Sequence, residues 1–287
     1  MIDLHFHSTY SDGKLSIPEL AELIKKSGLK YCALTDHDTI AGISELKKCL
    51  HGSNIVVIPG VELTALCGNN EIHILAYNFD IEVVGEVLNK RNKLIKKQKV
   101  TEMKKAISLF RKEGLKINNN LNPDEKKPVG YTVAMNICQH QSNLDLLFQR
   151  HKKILSLDDI YFNYQAPGKP CAVKRSGVSV KWLLNKLQVR ATYFIITHPF
   201  LQVSVATNPL SENEIHSLLD IGLSGVEIYH DKTTNRQIQS LIKMVNEKNL
   251  HYTGGSDFHG RKNDVGLGMY GIGLKVPYFK ISKYELK

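Results

Sequence analysis

Only one tryptophan and nine prolines occur in the 287 residues, and the five cysteines contain no C-x-x-C pair. Their odd number and scattered positions (Cys32, Cys49, Cys67, Cys138, Cys171) argue against a disulfide framework. They fit buried thiols in a reduced, cytoplasmic setting. Long apolar runs are missing too. None approaches the roughly 20 residues of a membrane span, and the chain opens on a strand pattern where a signal peptide would show a charged, then apolar, stretch. No membrane partner is expected. Internal repeats and low-complexity tracts are also lacking, which argues against a repeat architecture. Acidic residues are the most informative shortage. Lys and Arg total 38 against 28 Asp and Glu, a formal +10, and residues 90–127 alone hold thirteen basic and four acidic residues, a net +9. Such a segment reads either as a collar for polyanions such as nucleic acid or as a solvated Lys-rich helical face. Phe110 is the only aromatic residue there, and base stacking would need more, so composition favours the solvated face.

What the chain does have is an alternation of short apolar runs with amphipathic stretches. It is long enough for one barrel or two modest domains. At the N-terminus Ile2, Leu4 and Phe6 alternate with Asp3, His5 and His7, so a strand here projects both imidazoles from one side. Ser16 and Glu19 have the spacing of a capping box, followed by Leu20, Leu23 and Ile24 on an apolar face and by Gly28 as a stop. A second strand over 31–34 runs into Thr35, Asp36, His37 and Asp38. After a helix over about 40–50, a third strand over 55–58 ends in Pro59, Gly60, Val61 and Glu62, and a fourth over 71–77 contains His73. Continuous β-branched runs between amphipathic helices predict a parallel sheet covered on both faces.

The pattern changes after residue 79. Apolar residues at helical spacing run from Val83 to Phe110, Gly114 ends them, and shorter helical stretches follow near 131–139 and 143–153. We read 80–165 as a helical insertion between two parts of one main domain, 1–79 and 166–287. The alternation then resumes. A helix around Trp182 precedes a strand ending in Thr197, His198 and Pro199, and Ser211 with Glu214 marks another capped helix. A strand over 225–229 runs into His230, and a final one leads to Gly255, Ser256, Asp257, Phe258 and His259. Seven strands result, with polar clusters at or near their carboxyl ends, where β/α barrels gather their catalytic residues.

The candidate metal ligands are His5, His7, Asp12, His37, Glu62, His73, His198, Asp257 and His259. One His-x-His pair is weak, and a lone His in an apolar strand, such as His73, is ordinarily a hydrogen-bonded core residue. Together the set exceeds the needs of one metal, and imidazole with carboxylate suits Zn, Mn or Fe. The absence of thiolate argues for a site open to water. Asp36 and Asp38 flank His37 as helix caps or as supports for the ligands. Lys174, Arg175 and His230 lie near strand ends and are the candidate substrate contacts, read alternatively as surface residues.

These pieces resemble the polymerase and histidinol phosphatase (PHP) family: His5-Phe-His7 with Asp12, Thr35-Asp-His37-Asp-Thr39, Pro59-Gly-Val-Glu62, His73, His198-Pro199 and Gly255-Ser-Asp257-Phe-His259-Gly260. They span the main domain in the family's order. The small phosphoesterase branch, with its helical insertion, is the most similar. The resemblance implies an α/β fold, a distorted seven-stranded (β/α)7 TIM-like barrel, with a trinuclear metal site. It implies one metal on His5, His7, Glu62 and Asp257, a second on Glu62, His73 and His198, and a third on Asp12, His37 and His259. Two departures stand out. Asp12 replaces a His found in some relatives, and the Arg-Pro-His segment thought to hold substrate phosphate corresponds here to Pro128-Val-Gly-Tyr-Thr-Val133.

The implied activity is metal-dependent hydrolysis of phosphate esters in nucleotides or short RNA or DNA ends, as in 3',5'-nucleoside bisphosphate phosphatases and 5'-3' exonucleases. Water activated by roughly two to three divalent cations (Mn, Zn or Fe) would attack, with the cations neutralising the phosphoryl oxygens. Catalysis would depend most on Glu62, His198 and Asp257. The alternatives are a phosphatase for a small molecule such as histidinol phosphate and, in a different class, a metal-binding scaffold without turnover. A scaffold would have no need of so complete a ligand set.

Overall fold

The computed structural model describes residues 1–68, 70–124, 127–187, 191–202, 208–271, 273–277 and 279. Two compact units result, one formed by Met1–Asn89 with Val178–Lys287, the other by Lys90–Gly177.

The first unit is α/β. Strand β1 (Ile2–Phe6) pairs in parallel with β2 (Tyr31–Leu34), and β2 with the short β3 (Val56–Val57). A second sheet has the order β4 (Gly60–Cys67), β5 (Asn70–Phe79), β6 (Ala191–Ile196), β7 (Gly225–Tyr229), β8 (His251–Gly254). Two isolated parallel bridges link the sheets, His37 with Glu62 and Phe6 with Phe258. A hairpin of β9 (Met269–Tyr270) and β10 (Leu274–Lys275) lies outside both sheets.

This topology corrects the expected parallel sheet. The segment Pro59–Glu62 does not close a strand as a loop. Gly60 opens an eight-residue strand, and the third strand shrinks to two residues. The chain then reverses around Gly68, whose φ of 62° favours glycine. A connection this short can join only antiparallel strands. Accordingly β5 is antiparallel to both β4 and β6, while β6, β7 and β8 are mutually parallel. The inverted β5 begins at the rim where β6 ends, and the Thr197 N–H donates to the His73 carbonyl at 3.2 Å.

Helix α1 (Ile17–Ser27) starts on the capping box, where the Ser16 N–H donates to the Glu19 carboxylate at 2.8 Å, and ends at Gly28 with φ 78°. It covers the first sheet with α2 (Ile43–Cys49) through Phe6, Leu20, Ile24, Leu34 and Leu46, all buried. Leu4 and Ala33 from the first sheet meet Leu75, Tyr77, Tyr193 and Ile195 from the second in a shared core. Within it the Tyr77 hydroxyl donates to the Leu4 carbonyl at 2.6 Å.

The long helix α3 (Ile81–Lys112) divides between the units. Its first turns belong to the sheet unit, since a Cβ on Gly85 would come within 3.3 Å of Ile40. In the helical unit, α3 continues with α4 (Val129–Cys138), α5 (Gln141–His151), the short α6 (Leu157–Ile160) and a π-helical turn over Tyr161–Gln165. This unit has its own core, including Phe110, Val133, Ile137, Leu147, Ile160 and Tyr164. The sheet unit is completed by α7 (Val180–Leu187), α8 (Glu212–Asp220) and α9 (Asn235–Lys248). The Ser211–Glu214 box caps α8, and Thr234 with Gln237 caps α9. Among the described residues no helix is long and apolar enough to cross a membrane, and all five cysteines are free thiols.

Candidate metal centre

The polar residues at the strand ends of the sheet unit converge on Glu62, and its two carboxylate oxygens face different partners. Oε1 lies 2.9 Å from His73 Nδ1 and 3.4 Å from His198 Nε2. Oε2 lies 3.3 Å from His5 Nε2, 3.2 Å from His7 Nε2 and 3.3 Å from His37 Nδ1. Asp257 adds a second carboxylate, with Oδ1 at 3.2 Å from both His5 Nε2 and His7 Nε2. Further out, Asp12 Oδ1 is 3.2 Å from His259 Nε2, 3.7 Å from His7 Nδ1 and 3.9 Å from His37 Nε2. All nine candidate ligands thus come together. Eight of them form overlapping groups compact enough to hold a metal ion, His5–His7–Glu62–Asp257, His7–Asp12–His37–His259 and His37–Glu62–His73, while His198 stands beside these groups, 3.4 Å from Glu62.

Local backbone explains why these side chains can crowd. His198 and Asp257 adopt φ of 30° and 51°, a left-handed conformation that non-glycine residues occupy at a cost. At Gly255 a Cβ would overlap the backbone of His5, so only glycine lets the end of β8 lie against β1. The loop after β1 is pinned by Asp36, which accepts from the Ser8 N–H and hydroxyl, each at 2.7 Å, and from the Ser11 hydroxyl. Asp38 accepts from the Thr64 N–H at 2.9 Å through Oδ1, and its charge helps to raise His73. Both aspartates hold backbone or hydroxyl groups of the rim, and neither belongs to the metal-compatible groups.

The donor set passes a chemical test for a cation. His7 Nε2 and His37 Nδ1 are buried without a hydrogen-bond partner, although carboxylate oxygens lie 3.2 and 3.3 Å away. Close approach without in-line donation is the arrangement of atoms directed at a common point. Electrostatics agree. Burial resists ionising Glu62, but His37, His5 and His73 outweigh it and hold its carboxyl well below the ordinary range. Asp257 is likewise held far down, with burial overcome by His5, His230 and His7. Burial opposes a proton on His7, yet the Asp257 and Glu62 carboxylates beside it raise it to about 9. His37 gives way instead, and burial drops it to about 4 despite the nearby Glu62. Its lone pair is then free at neutral pH, whereas the surrounding carboxylates shift His5, His7 and His73 upward. A cation would replace those protons.

Two residues that the sequence reading passed over support the candidate ligands. Glu227, inside β7 and fully buried, accepts from His5 Nδ1 at 2.8 Å through Oε1 and from the His198 N–H at 2.9 Å through Oε2. Asp3, also fully buried, accepts from the Ser256 N–H and hydroxyl and from the Gly268 N–H, tying β1 to the loop that carries Asp257 and His259. Burial pushes Asp3 up to about 6. The signal available in the sequence was a carboxylate within an otherwise apolar strand, which buried chains rarely tolerate without a partner.

The expected substrate contacts separate. His230 is buried, not a surface residue. The Lys232 N–H donates to its Nδ1 at 3.1 Å, which leaves the proton on Nε2, 3.3 Å from Asp257 Oδ2. Lys174 and Arg175 lie in the helical unit, the former exposed and the latter half-buried. Beside His73 and His198, a shallow pocket is lined by Thr197, Pro199, Leu201 and Leu210.

The family profile of the PHP domain matches residues 3–161, more than half of the chain. The chain belongs to the PHP domain family. This PHP chain is 29% identical over 258 residues to a 5'-3' exoribonuclease of Haemophilus influenzae, covering 90% of this chain and 89% of that protein. It is 24% identical over 264 residues to a 3',5'-nucleoside bisphosphate phosphatase of Chromobacterium violaceum, covering 90% and 87%. A crystal structure of a provisionally assigned metal-dependent phosphoesterase from Bifidobacterium adolescentis superposes with a TM-score of 0.63 at 21% identity, over 96% of this PHP chain and 92% of that one. The last likeness concerns the fold alone.

Proposed function

We propose that the protein is a metal-dependent phosphoesterase that hydrolyses phosphate esters of nucleotides or of short oligonucleotide ends. The observation that carries this reading is Glu62, buried, with each oxygen facing a separate set of imidazoles. A carboxylate so placed is suited to bridge two cations. His5, His7 and Asp257 would complete one position, His73 and His198 a second, and Asp12, His37 and His259 a third, with Mn, Zn or Fe as the suitable metals. When bound, such cations lower the pKa of water to about 7 and neutralise the non-bridging oxygens of a phosphoryl group.

The chain's own residues supply orientation and proton control. Glu227 holds the His5 proton on Nδ1, so that Nε2 faces the cluster. The backbone carbonyl of Asp257 does the same for His259, accepting from Nδ1 at 2.7 Å and leaving Nε2 toward Asp12. His230 Nε2–H faces Asp257 and can stabilise its negative charge. The names of the relatives in Haemophilus influenzae and Chromobacterium violaceum favour nucleotide over sugar-like substrates.

Three structural readings accompany the proposal. The two sheets, bridged at His37–Glu62 and Phe6–Phe258, would act as one distorted (β/α)7-type barrel. Residues 80–165 would be its helical insertion. The basic 90–127 segment would be a solvated face, with contact to a polyanionic substrate as the alternative, and charge reversal at Lys96 and Lys97 separates the two, weakened oligonucleotide hydrolysis favouring contact. Free thiols fit a cytoplasmic location. The decisive experiment is a phosphate-release screen with added Mn²⁺ across 3',5'-bisphosphates, mononucleotides, short RNA and histidinol phosphate. Release from the nucleotide substrates is expected, whereas turnover of histidinol phosphate alone, or of none, would reject the reading.

A further inference from the structure

We propose that Arg261 engages the substrate's phosphate on the solvent side of the Asp12–His37–His259 group and thereby favours esters with a terminal phosphate; the proposal rests on the phosphoesterase reading above. Asp12 divides its oxygens between two neighbours. Oδ1 faces the imidazoles, 3.2 Å from His259 Nε2, while Oδ2 accepts from Arg261 Nη2 at 2.8 Å. One carboxylate therefore separates the guanidinium from the cluster.

The position of Arg261 is built. Asp264 accepts from the N–H groups of both His259, at 2.7 Å, and Arg261, at 2.9 Å, and its own N–H returns to the Arg261 carbonyl at 3.1 Å. The same carboxylate thus sets the backbone of a candidate ligand and of the arginine. Stability does not account for this, because the Arg261 and Asp12 side chains are 50% and 46% exposed, and ion pairs that open to water contribute little. Asp12 takes one of the guanidinium's five N–H donors. The half-exposed remainder of the fork suits two oxygens of an incoming phosphate. Lys14 and Lys262, close to Asp12 and Arg261 in the chain, are both exposed, and the Lys14 N–H donates to the His259 carbonyl at 2.7 Å.

The test compares metal-loaded wild type, Arg261→Gln and Arg261→Lys. Inorganic phosphate affinity is measured by calorimetry, KM and kcat on adenosine 3',5'-bisphosphate, and metal content by elemental analysis. Loss of a hydrogen bond to a charged group predicts weaker phosphate binding and a higher KM in Arg261→Gln, each by about 10- to 100-fold. Metal content and kcat should be retained, and lysine should restore only part of the affinity. Unchanged phosphate affinity in Arg261→Gln overturns the proposal, as does a loss of metal in parallel with activity, which would make Arg261 an anchor for Asp12. If wild type binds phosphate through Arg261 but cleaves no ester, the phosphoesterase reading falls and the anion site stands.

Discussion

Replacing Glu227 by glutamine gives a sharp test of how the centre is built, because it changes charge and hydrogen-bond polarity while keeping shape. Both carboxylate oxygens of Glu227 accept, Oε1 from His5 Nδ1 at 2.8 Å and Oε2 from the His198 N–H at 2.9 Å. Glutamine has one acceptor oxygen and one donor nitrogen. If its oxygen stays on His5, its NH₂ opposes the His198 N–H, donor against donor, at a residue already held at φ 30°. If it turns over, His5 must accept at Nδ1 and carry its proton on Nε2, the nitrogen that lies 3.3 Å from Glu62 and 3.2 Å from Asp257. That nitrogen then has no lone pair for a cation. Neither side chain meets bulk solvent that could relieve the conflict, since Glu227 and His5 are both fully buried.

The expected size follows from this choice. Partners that orient metal-binding histidines contribute about 10- to 100-fold in metal affinity, or about 1.4–2.8 kcal/mol. Competition with a chromogenic chelator, titrated with Zn²⁺ and Mn²⁺, would measure it in wild type and Glu227→Gln. Circular dichroism and thermal melting with saturating metal would establish that the variant folds. A folded Glu227→Gln protein with wild-type metal affinity would refute the reasoning, because it would mean that the tautomer of His5 does not matter to the site.

Substitution of Glu62 by glutamine should abolish phosphate release while the sheet unit remains folded, and retained turnover would reject the proposed bridging role. The pH dependence of the metal-stripped protein carries its own sign. His7, raised from 6.5 to about 9, contributes stability that is complete below its unfolded pKa and lost as pH rises through 9. Urea unfolding should therefore show a loss of up to about 3 kcal/mol between pH 6.5 and 9.5, absent when metal is bound, and equal stability at the two pH values would contradict it. The depressed Glu62 and Asp257 act in the opposite direction, their contribution present above about pH 4 and lost on further acidification.

Most of the candidate ligands were legible as a group because they are His, Asp or Glu placed next to an apolar run, where a polar side chain has few other reasons to be, and the structure brings them together. Helix ends were legible for a similar reason. Ser16 with Glu19 and Ser211 with Glu214 are local chemistry, complete within four residues, and both boxes form. Glu227 and Asp3 were harder to see, because their partners, His5, His198 and Ser256, lie far away in sequence. Strand direction was invisible for a further reason. Val61, Leu63 and Ala65 alternate with Glu62 and Thr64 whether the pairing is parallel or antiparallel, and only the tight reversal at Gly68 decides.

That reversal has a consequence for the chemistry. Across the β4–β5 hairpin, Thr64 stands opposite His73 and Glu62 opposite Leu75, so Glu62 and His73 are diagonal neighbours on one face. Diagonal spacing in a sheet is within reach of long side chains, and His73 Nδ1 meets Glu62 Oε1 at 2.9 Å. Because β5 runs against β6, its fourth residue lies at the level where β6 finishes, placing His73 beside His198, with ring centroids 5.2 Å apart. A parallel β5 would carry the start of the strand, and His73 with it, to the opposite end of the sheet, leaving one oxygen of Glu62 without these two imidazoles. The departure from a uniform parallel sheet is therefore what gives Glu62 two occupied sides, the feature on which its proposed bridging of two cation positions rests.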